Sequence, residues 1–409
     1  MGGKFYKRTI RKVSLDGETV LLRADYNVPL TSDGEISDDF RIRSSLPTLR
    51  ALIGRRCKIV IISHLGRPDG VSNKAYGLEP VAVRLAELLG KDVRFVSTCV
   101  GERARMAVKR APKSSVILLE NLRFHPGEET NDMEFARQIA QASGASYFVQ
   151  DGFGVVHRAH ASTSAIAQLL PSVAGLLLER EFVTITDTMR SPVRPLVAVM
   201  GGAKVSDKIS FIKELVHVAD KIIVGGAMAN TFLAYEGNAM GKSKYEPDMR
   251  DAIEEIYAAI DGKVGAENRA TFLQLPVDLA LGKSTDKTAT SQIADIANIP
   301  SDAMSLDIGP RSIAAMLESV YQAKTVIWNG TLGYAEVPVF AKASQALAGA
   351  LAGNKDIASI IGGGDTADFV IHWDVKKGDS FTHVSTGGGA SLELMSGLKL
   401  PGVEALLDA

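Results

Sequence analysis

The sequence predicts an α/β protein made of two doubly wound parallel-sheet domains joined by a helix. Three observations predict it: the length of the chain, the alternation of short apolar runs with helix-like segments, and a break in that alternation near the middle. At 409 residues the chain is long for one hydrophobic core, so two domains is the natural division. With 46% hydrophobic and 23% charged residues, the composition is that of an ordinary globular protein rather than a disordered one.

The apolar runs lie at 19–22, 58–62, 93–96, 116–119 and 146–149 in the first half of the chain. In the second half they lie at 196–200, 221–224, 271–275, 325–328, 358–361 and 381–384. Several are apolar nearly throughout, as expected of strands covered on both faces of a parallel sheet. Glycine or polar residues follow many of them, and then a helical pattern begins. Ile209, Ile212, Val216 and Ala219, for example, fall on one helical face. This is the rhythm of repeated βαβ units. It breaks at 176–190, which reads as a helix stopped by Ser191-Pro192-Val193-Arg194-Pro195. The expected division is therefore 1–175, a connecting helix at 176–190, and 191–396, while pattern alone does not place 397–409. Open α/β sheets bind ligands beyond the C-terminal ends of their strands, and two such domains would turn those ends toward a shared cleft.

Lys and Arg total 46 against 47 Asp and Glu, a formal net charge of -1, which gives no global attraction to nucleic acid or to an anionic membrane. Two cysteines, Cys57 and Cys99, are too few for a disulfide scaffold or a thiolate metal cage. The N-terminus lacks the apolar core of a signal peptide, and no apolar run is long enough to cross a bilayer. The expected compartment is the cytoplasm.

The residues after the first-half strands are basic. They include Arg23-Ala24-Asp25-Tyr26-Asn27, Ser63-His64-Leu65-Gly66-Arg67-Pro68 and Glu120-Asn121-Leu122-Arg123-Phe124, with Arg41 and Arg158 nearby in sequence. A lone arginine is usually a solvated surface residue, but arginines recurring at strand ends converge in this fold. Guanidinium forks match phosphate and carboxylate geometry, so the expectation is a basic pocket for a small, multiply anionic molecule. Asp25 and Asn27 would address its hydroxyl groups. His157 and His160 lack a Cys or carboxylate to complete a metal set, and His64 reads as a hydrogen-bonding pocket residue.

The second half supplies glycines instead. Gly201-Gly202-Ala203-Lys204, Gly225-Gly226-Ala227 and Gly362-Gly363-Gly364-Asp365-Thr366 each follow an apolar run. Several such turns suit a bound polyphosphate, with Lys204 and Lys208 as its cations and Asp365 as a Mg²⁺ carboxylate. The run Ser385-Thr386-Gly387-Gly388-Gly389-Ala390-Ser391 precedes a helix-forming segment. Glycines there admit backbone conformations closed to other residues, and a helix start offers free N–H groups and partial positive charge. Alone it reads equally well as a loose connection or as an anion site. Gly241-Lys242-Ser243 nearly completes a Walker pattern, but Glu236 stands where its first Gly belongs. No dinucleotide fingerprint or protein-kinase motif set is present. A kinase for some phosphorylated carboxylate and a non-catalytic nucleotide- or RNA-binding protein both stay open on these residues.

In order along the chain, the segments 23–27, 63–68, 120–125, 151–160, 201–209, 225–233, 275–278, 307–310, 328–330, 362–366 and 382–391 resemble those of phosphoglycerate kinases. The resemblance covers essentially the whole chain, and Gly-Gly-Ala-Lys-Val-x-Asp-Lys with Ser-Thr-Gly-Gly-Gly-Ala-Ser is its most specific part. It implies two Rossmann-like domains in a monomer, the helix at 176–190 acting as a hinge and 397–409 packing back on the first domain. It implies that 3-phosphoglycerate is bound by Asp25, Asn27, Arg41, His64, Arg67, Arg123 and Arg158. ATP or ADP, with Mg²⁺ on Asp365, would be held by Gly202, Ala203, Lys204, Lys208, Gly225, Gly226, Asn329, Glu336, Gly363, Gly364, Asp365 and Thr366. Transfer itself would rest on Arg41, Lys204, Lys208, Gly387 and Gly388. The acceptor is a carboxylate, ionised well below pH 7, so no general base is required. The sequence departs from the family pattern at Thr331, at Tyr334-Ala335 beside the nucleotide base and ribose, and at Gly152.

Overall fold

The structure, a computed structural model, describes residues 5–409. It divides into two compact units, one running to Thr184 and joined by Leu398–Ala409, the other Ile185–Gly397.

In the first unit, strands β1 (Thr19–Arg23), β2 (Lys58–Ile62), β3 (Val93–Val96), β4 (Val116–Leu119), β5 (Tyr147–Gln150) and β6 (Ser172–Ala174) form one parallel sheet in the order β3-β4-β2-β1-β5-β6. Successive side chains of a strand point to opposite faces, and here both faces are covered. Val20, Leu22, Ile59, Ile61 and Leu118 enter one core, against Leu46, Leu49 and Leu52 of the helix Phe40–Gly54 and Val81 and Leu85 of Glu79–Leu89. Leu21, Val60, Ile62, Ile117 and Leu119 enter the other, against Val108 and the helix Met133–Ser143 through Phe135, Ala136 and Ile139. Each such fully buried Val, Leu or Ile contributes about 1.5–3 kcal/mol, which is why the central stretches 20–22, 59–62 and 116–119 carry no polar residue.

The two ends of the chain meet beside β6. Arg8 N donates to Leu407 O at 2.7 Å, Ala174 N to Arg8 O at 2.8 Å and Leu407 N to Ser172 O at 3.0 Å. Lys7, itself buried, pairs with Asp408 at 2.7 Å and donates to Glu404 O at 2.9 Å. Leu400, Val403 and Leu406 are buried there.

The chain passes from the first unit to the second within the helix Leu176–Arg190. Its first turn is held by groups from the first unit. Asp151 Oδ1 accepts Leu177 N at 3.0 Å, and Thr48 Oγ1 accepts Leu176 N at 2.9 Å. Asp151 is fully buried, and burial pushes its carboxyl up to about 7 against the pull of Thr48 and the Leu178 and Leu177 amides. Gly175 is obligatory, since a Cβ there would lie 2.0 Å from Asp151 Oδ1.

In the second unit the strands are β7 (Leu196–Met200), β8 (Lys221–Val224), β9 (Leu273–Gln274), β10 (Asp278–Gly282), β11 (Gln292–Asp295), β12 (Met304–Ile308), β13 (Thr325–Asn329), β14 (Ala358–Gly362) and β15 (His383–Val384). Six of them make a parallel sheet in the order β15-β14-β13-β7-β8-β9, with β7 and β13 buried along their whole length. The two edge strands are shorter than the runs expected at 271–275 and 381–384. Each pairs at only two positions with a single neighbour, and Phe272 instead ends the short helix Arg269–Phe272. The other three form an antiparallel sheet, β11-β10-β12, which the sequence pattern does not announce. Its strands carry Leu, Ala and Asp rather than β-branched runs, so tertiary packing overrides propensity. Leu279 and Leu281 of β10 bury against Leu233 and Met240.

Candidate functional site

Four neighbouring strands of the first unit, β4, β2, β1 and β5, end in the segments that carry its arginines. The loops are stitched together by side chains that accept from main-chain donors. Ser63 Oγ accepts Tyr26 N at 2.8 Å, and Asn27 Oδ1 accepts Gly66 N at 2.8 Å. The turn at Gly66 needs glycine twice over: its φ is +64°, and a Cβ would meet the Tyr76 ring at 2.3 Å. Arg123 Nη1 donates to Gly66 O at 2.8 Å and its Nη2 lies 3.0 Å from Glu129, while its buried Nε has no partner among the described residues. Asp25 Oδ2 takes Arg41 Nη1 at 2.8 Å, and its Oδ1 accepts Asn27 N at 3.2 Å.

His64 is buried, and its Nδ1 lies 3.2 Å from Arg23 Nη2. A guanidinium only donates, so Nδ1 accepts and the ring proton sits on Nε2. Burial, and then the charges of Arg23, Arg123 and Arg41, hold His64 well below its ordinary value. It is therefore a neutral hydrogen-bonding ring at neutral pH, and its 3.9 Å approach to Asp25 is no ion pair. Direct bonds thus join Asp25, Asn27, Arg41 and, through Gly66, Arg123, while Arg23 links in His64. Arg158 stands beside this network. Its Nε donates to His157 Nε2 at 3.2 Å, and its charge is felt by Arg123 and His160. Arg67 is exposed and makes no hydrogen bond or ion pair among the described residues. Burial, followed by neighbouring arginines, holds His157 and His160 down to about 4, so both rings are neutral. Among the described residues no three His, Cys, Asp or Glu side chains are placed to hold a metal ion.

The glycine turns of the second unit pack against one another. Gly201 N donates to Asn329 O at 2.9 Å, Gly202 N to Thr331 O at 2.9 Å, and Gly226 N to Leu332 O at 2.8 Å. Gly330, at φ +100°, would place a Cβ 2.2 Å from the Gly201 carbonyl, so the two turns touch only because both lack side chains. Lys208 Nζ reaches under them, donating to Gly201 O at 2.9 Å and Asn329 O at 3.4 Å. Burial pulls the Lys208 ammonium down to about 8, partly offset by Asp365 and Asp207. Thr366 Oγ1 accepts Gly330 N at 2.6 Å, and Asn329 Nδ2, 3.2 Å from where a Gly363 Cβ would stand, is buried without a partner among the described residues. Gly202, Ala203, Gly226, Glu336 and Asp365 line a cavity of about 340 Å³, together with Thr331 and Tyr334. Gly225 borders it as the cap of the helix Gly226–Tyr235. Lys204 is exposed beside Ala203.

The helices Gly364–Trp373 and Gly388–Met395 start side by side, since a Cβ on Gly388 would lie 3.0 Å from Gly364 N. Gly387 takes an ordinary extended φ of -112°. What this stretch needs from glycine is closeness at Gly388, not a left-handed conformation. A Gly388→Val change therefore strikes the protein's own backbone before it meets any ligand, and does not isolate an anion site.

Several residues of these sites lie outside the candidate set that the sequence supplies. Arg23 and Glu128 are fully buried at the centre of the basic network, 3.8 Å apart and bridged by Ser162. Lys242 and Lys244 line the cavity although the Walker pattern around them is incomplete, and so does Asp307. Asp307 Oδ1 accepts Ile308 N at 2.9 Å and Oδ2 accepts Ala343 N at 3.1 Å, and burial pushes its carboxyl up to about 7.

A model of the phosphoglycerate kinase family matches residues 10–398 of the chain. The chain is 45% identical to a phosphoglycerate kinase of Pelotomaculum thermopropionicum, over 98% of this chain and 99% of the relative. It is 44% identical to that of Dictyoglomus turgidum, again over 98% and 99%. Among solved structures, phosphoglycerate kinase from Coxiella burnetii superposes with a TM-score of 0.81 at 34% identity, covering 98% of both chains.

Proposed function

The chain belongs to the phosphoglycerate kinase family, and from that membership we propose how its residues divide the reaction. It is a phosphotransferase with a carboxyl group as acceptor: a phosphoryl group passes reversibly between ATP and 3-phosphoglycerate, giving ADP and 1,3-bisphosphoglycerate. The observation that supports the division is that the arginine network and the glycine cradle belong to different units. The first unit binds phosphoglycerate. Arg67, Arg123 and Arg158 take its phosphate, Asp25, Asn27 and neutral His64 its hydroxyl, and Arg41 its carboxylate end. The second unit binds the nucleotide, with Glu336 and Asn329 toward the ribose side and Gly202, Ala203, Gly225, Gly226, Gly363, Gly364 and Thr366 along the phosphates.

Phosphoryl transfer asks for alignment and charge neutralisation rather than covalent chemistry. Lys204, Lys208 and the amides at Gly387 and Gly388 supply donors and positive charge for the group in transit, and Arg41 supplies charge on the acceptor side. Asp365 suits Mg²⁺. It is an exposed carboxylate on the cavity wall, and this ion commonly takes one or two carboxylates and completes its shell with water and substrate phosphates. When bound, Mg²⁺ neutralises phosphate oxygens of the nucleotide. The helix Leu176–Arg190 is the hinge about which the units close. Scattering profiles that are identical with and without both substrates would count against that motion.

The decisive assay supplies ATP and 3-phosphoglycerate and couples the product to NADH oxidation. Oxidation that requires phosphoglycerate and Mg²⁺ supports the reading, while binding without turnover leaves a nucleotide-binding protein. Arg67→Ala should raise the KM for phosphoglycerate about tenfold with kcat little changed, since an exposed, unpaired guanidinium contributes binding rather than structure. An unchanged KM would remove Arg67 from the pocket. No helix among the described residues is long and apolar enough to cross a membrane. We place the enzyme in the cytoplasm as a monomer, which cell fractionation and equilibrium sedimentation would check.

A further inference from the structure

Glu246 lies in the loop between the helices Gly226–Tyr235 and Arg250–Val264, about forty residues after Lys204 in sequence. Its carboxylate grips the turn that carries that lysine. Oε2 accepts Val205 N at 2.6 Å and Ser206 N at 3.1 Å, and Oε1 accepts the Ser206 hydroxyl at 2.5 Å. These are the two main-chain donors that directly follow Lys204. On the other side the chain is fixed at Gly202, whose N donates to Thr331 O at 2.9 Å and whose O accepts Met228 N at 3.0 Å. Ala203 and Lys204 hang between these two fixed points.

The grip is rigid because the loop itself is tied to walls of the same cavity. Glu246 N donates to Thr231 Oγ1 at 3.2 Å, and Asn230 Nδ2 donates to Lys244 O at 3.0 Å. Both Asn230 and Thr231 are buried in the helix whose start lines the cavity. Lys242 N donates to Ala303 O at 2.8 Å, and Ser305 N to the buried Ser243 Oγ at 2.8 Å, which fastens the loop to β12. A carboxylate suits this place because every group facing it is a donor. Burial works against its charge, but the Ser206 hydroxyl and the Ser206 and Val205 amides outweigh burial and hold it below the usual carboxylate range. The Lys204 ammonium is within its field but makes no ion pair with it among the described residues, which leaves its donors to a ligand.

We propose that Glu246 is a positioning residue for phosphoryl transfer, acting through Lys204 by holding the main chain that follows it, and touching neither substrate. This rests on the assignment of Lys204 to the transferring group. The test is a double-mutant cycle of Glu246→Ala and Lys204→Ala, with kcat and both KM values measured for each variant and nucleotide affinity followed by calorimetry. Glu246→Ala should lower kcat by about tenfold to a hundredfold, the loss that a misplaced catalytic group brings, with both KM values and nucleotide affinity within about threefold of the parent. In the Lys204→Ala background the same change should cost less than about twofold, because the lysine it serves is gone. Equal losses in both backgrounds would overturn the proposal, since they mark a general structural role. So would a tenfold weakening of nucleotide affinity. Where Glu246→Ala does not fold, Glu246→Gln carries the same cycle, as it keeps the size but turns one acceptor into a donor. If Lys204→Ala alone keeps near-normal turnover, the Lys204 assignment fails. A Glu246 variant that is still impaired would then be acting on some other group, and the proposal falls with it.

Discussion

Lys204→Ala is expected to lose about a hundredfold or more in kcat while its fold, its melting temperature and its KM values stay close to the parent's. The separation follows from where the side chain stands. Lys204 is exposed and makes no hydrogen bond or ion pair among the described residues, so truncating it removes nothing that holds the second unit together. Surface substitutions of this kind usually change stability by no more than about 0.5 kcal/mol. Lys208 offers no such clean test. Its half-buried ammonium binds two carbonyls of the glycine turns, at 2.9 and 3.4 Å, so its loss would unfasten the cradle as well as remove a charge. An interaction realised chiefly in the transition state lowers kcat without raising KM. Turnover within threefold of the parent, or a KM for nucleotide raised in proportion to the fall in kcat, would take Lys204 out of the transfer step.

How much of this was legible in the sequence follows from what kind of physics each part uses. β1, β2, β4, β7 and β13 were legible because strands covered on both faces admit almost nothing but apolar residues. β10, β11 and β12 were not, because their Leu, Ala and Asp residues suit several local structures and only packing on Leu233 and Met240 selects one. The site divides in the same way. Glycine turns and recurring arginines announce themselves by residue type. Glu246 does not: a glutamate in a polar loop looks like a solvated surface residue until the fold brings the Val205 and Ser206 amides to it. Arg23 was visible at the end of its strand, two residues before Asp25, but not as a buried residue, because its burial depends on Glu128 and Ser162 more than a hundred residues away. Asp151 directly follows a strand, and only the fold shows that it caps the helix Leu176–Arg190.

Arg23→Met is expected to destabilise the first unit by about 3–5 kcal/mol, the cost of leaving one member of a buried pair uncompensated. Arg23 spends its donors inside the protein, on Ser162 Oγ at 2.8 Å, Ala24 O at 2.5 Å and His64 Nδ1 at 3.2 Å, with Glu128 at 3.8 Å. Glu128 keeps its bonds to the Ser162 hydroxyl and amide, at 2.6 and 3.1 Å, but loses the cation that offset its burial. Burial already raises the Glu128 pKa above its ordinary value even though Arg23 pulls it down, so removing Arg23 raises it further. A carboxyl whose folded pKa lies above its unfolded one stabilises the folded state below the unfolded value, and that contribution disappears as pH rises through the folded value. The deficit of the variant should therefore be small near the unfolded carboxyl value of 4.5 and grow toward neutral pH. His64 acts in the same direction. Arg23 is one of the charges that depress it, so the variant loses less stability on acidification than the parent does. Adding Glu128→Gln removes the stranded charge, and the double variant should be less destabilised than the sum of the two single changes. Urea unfolding followed by circular dichroism, at about pH 5 and about pH 7.5, checks both claims. The same deficit at both pH values, with additive single changes, would show that Arg23 matters for its shape and not for its charge.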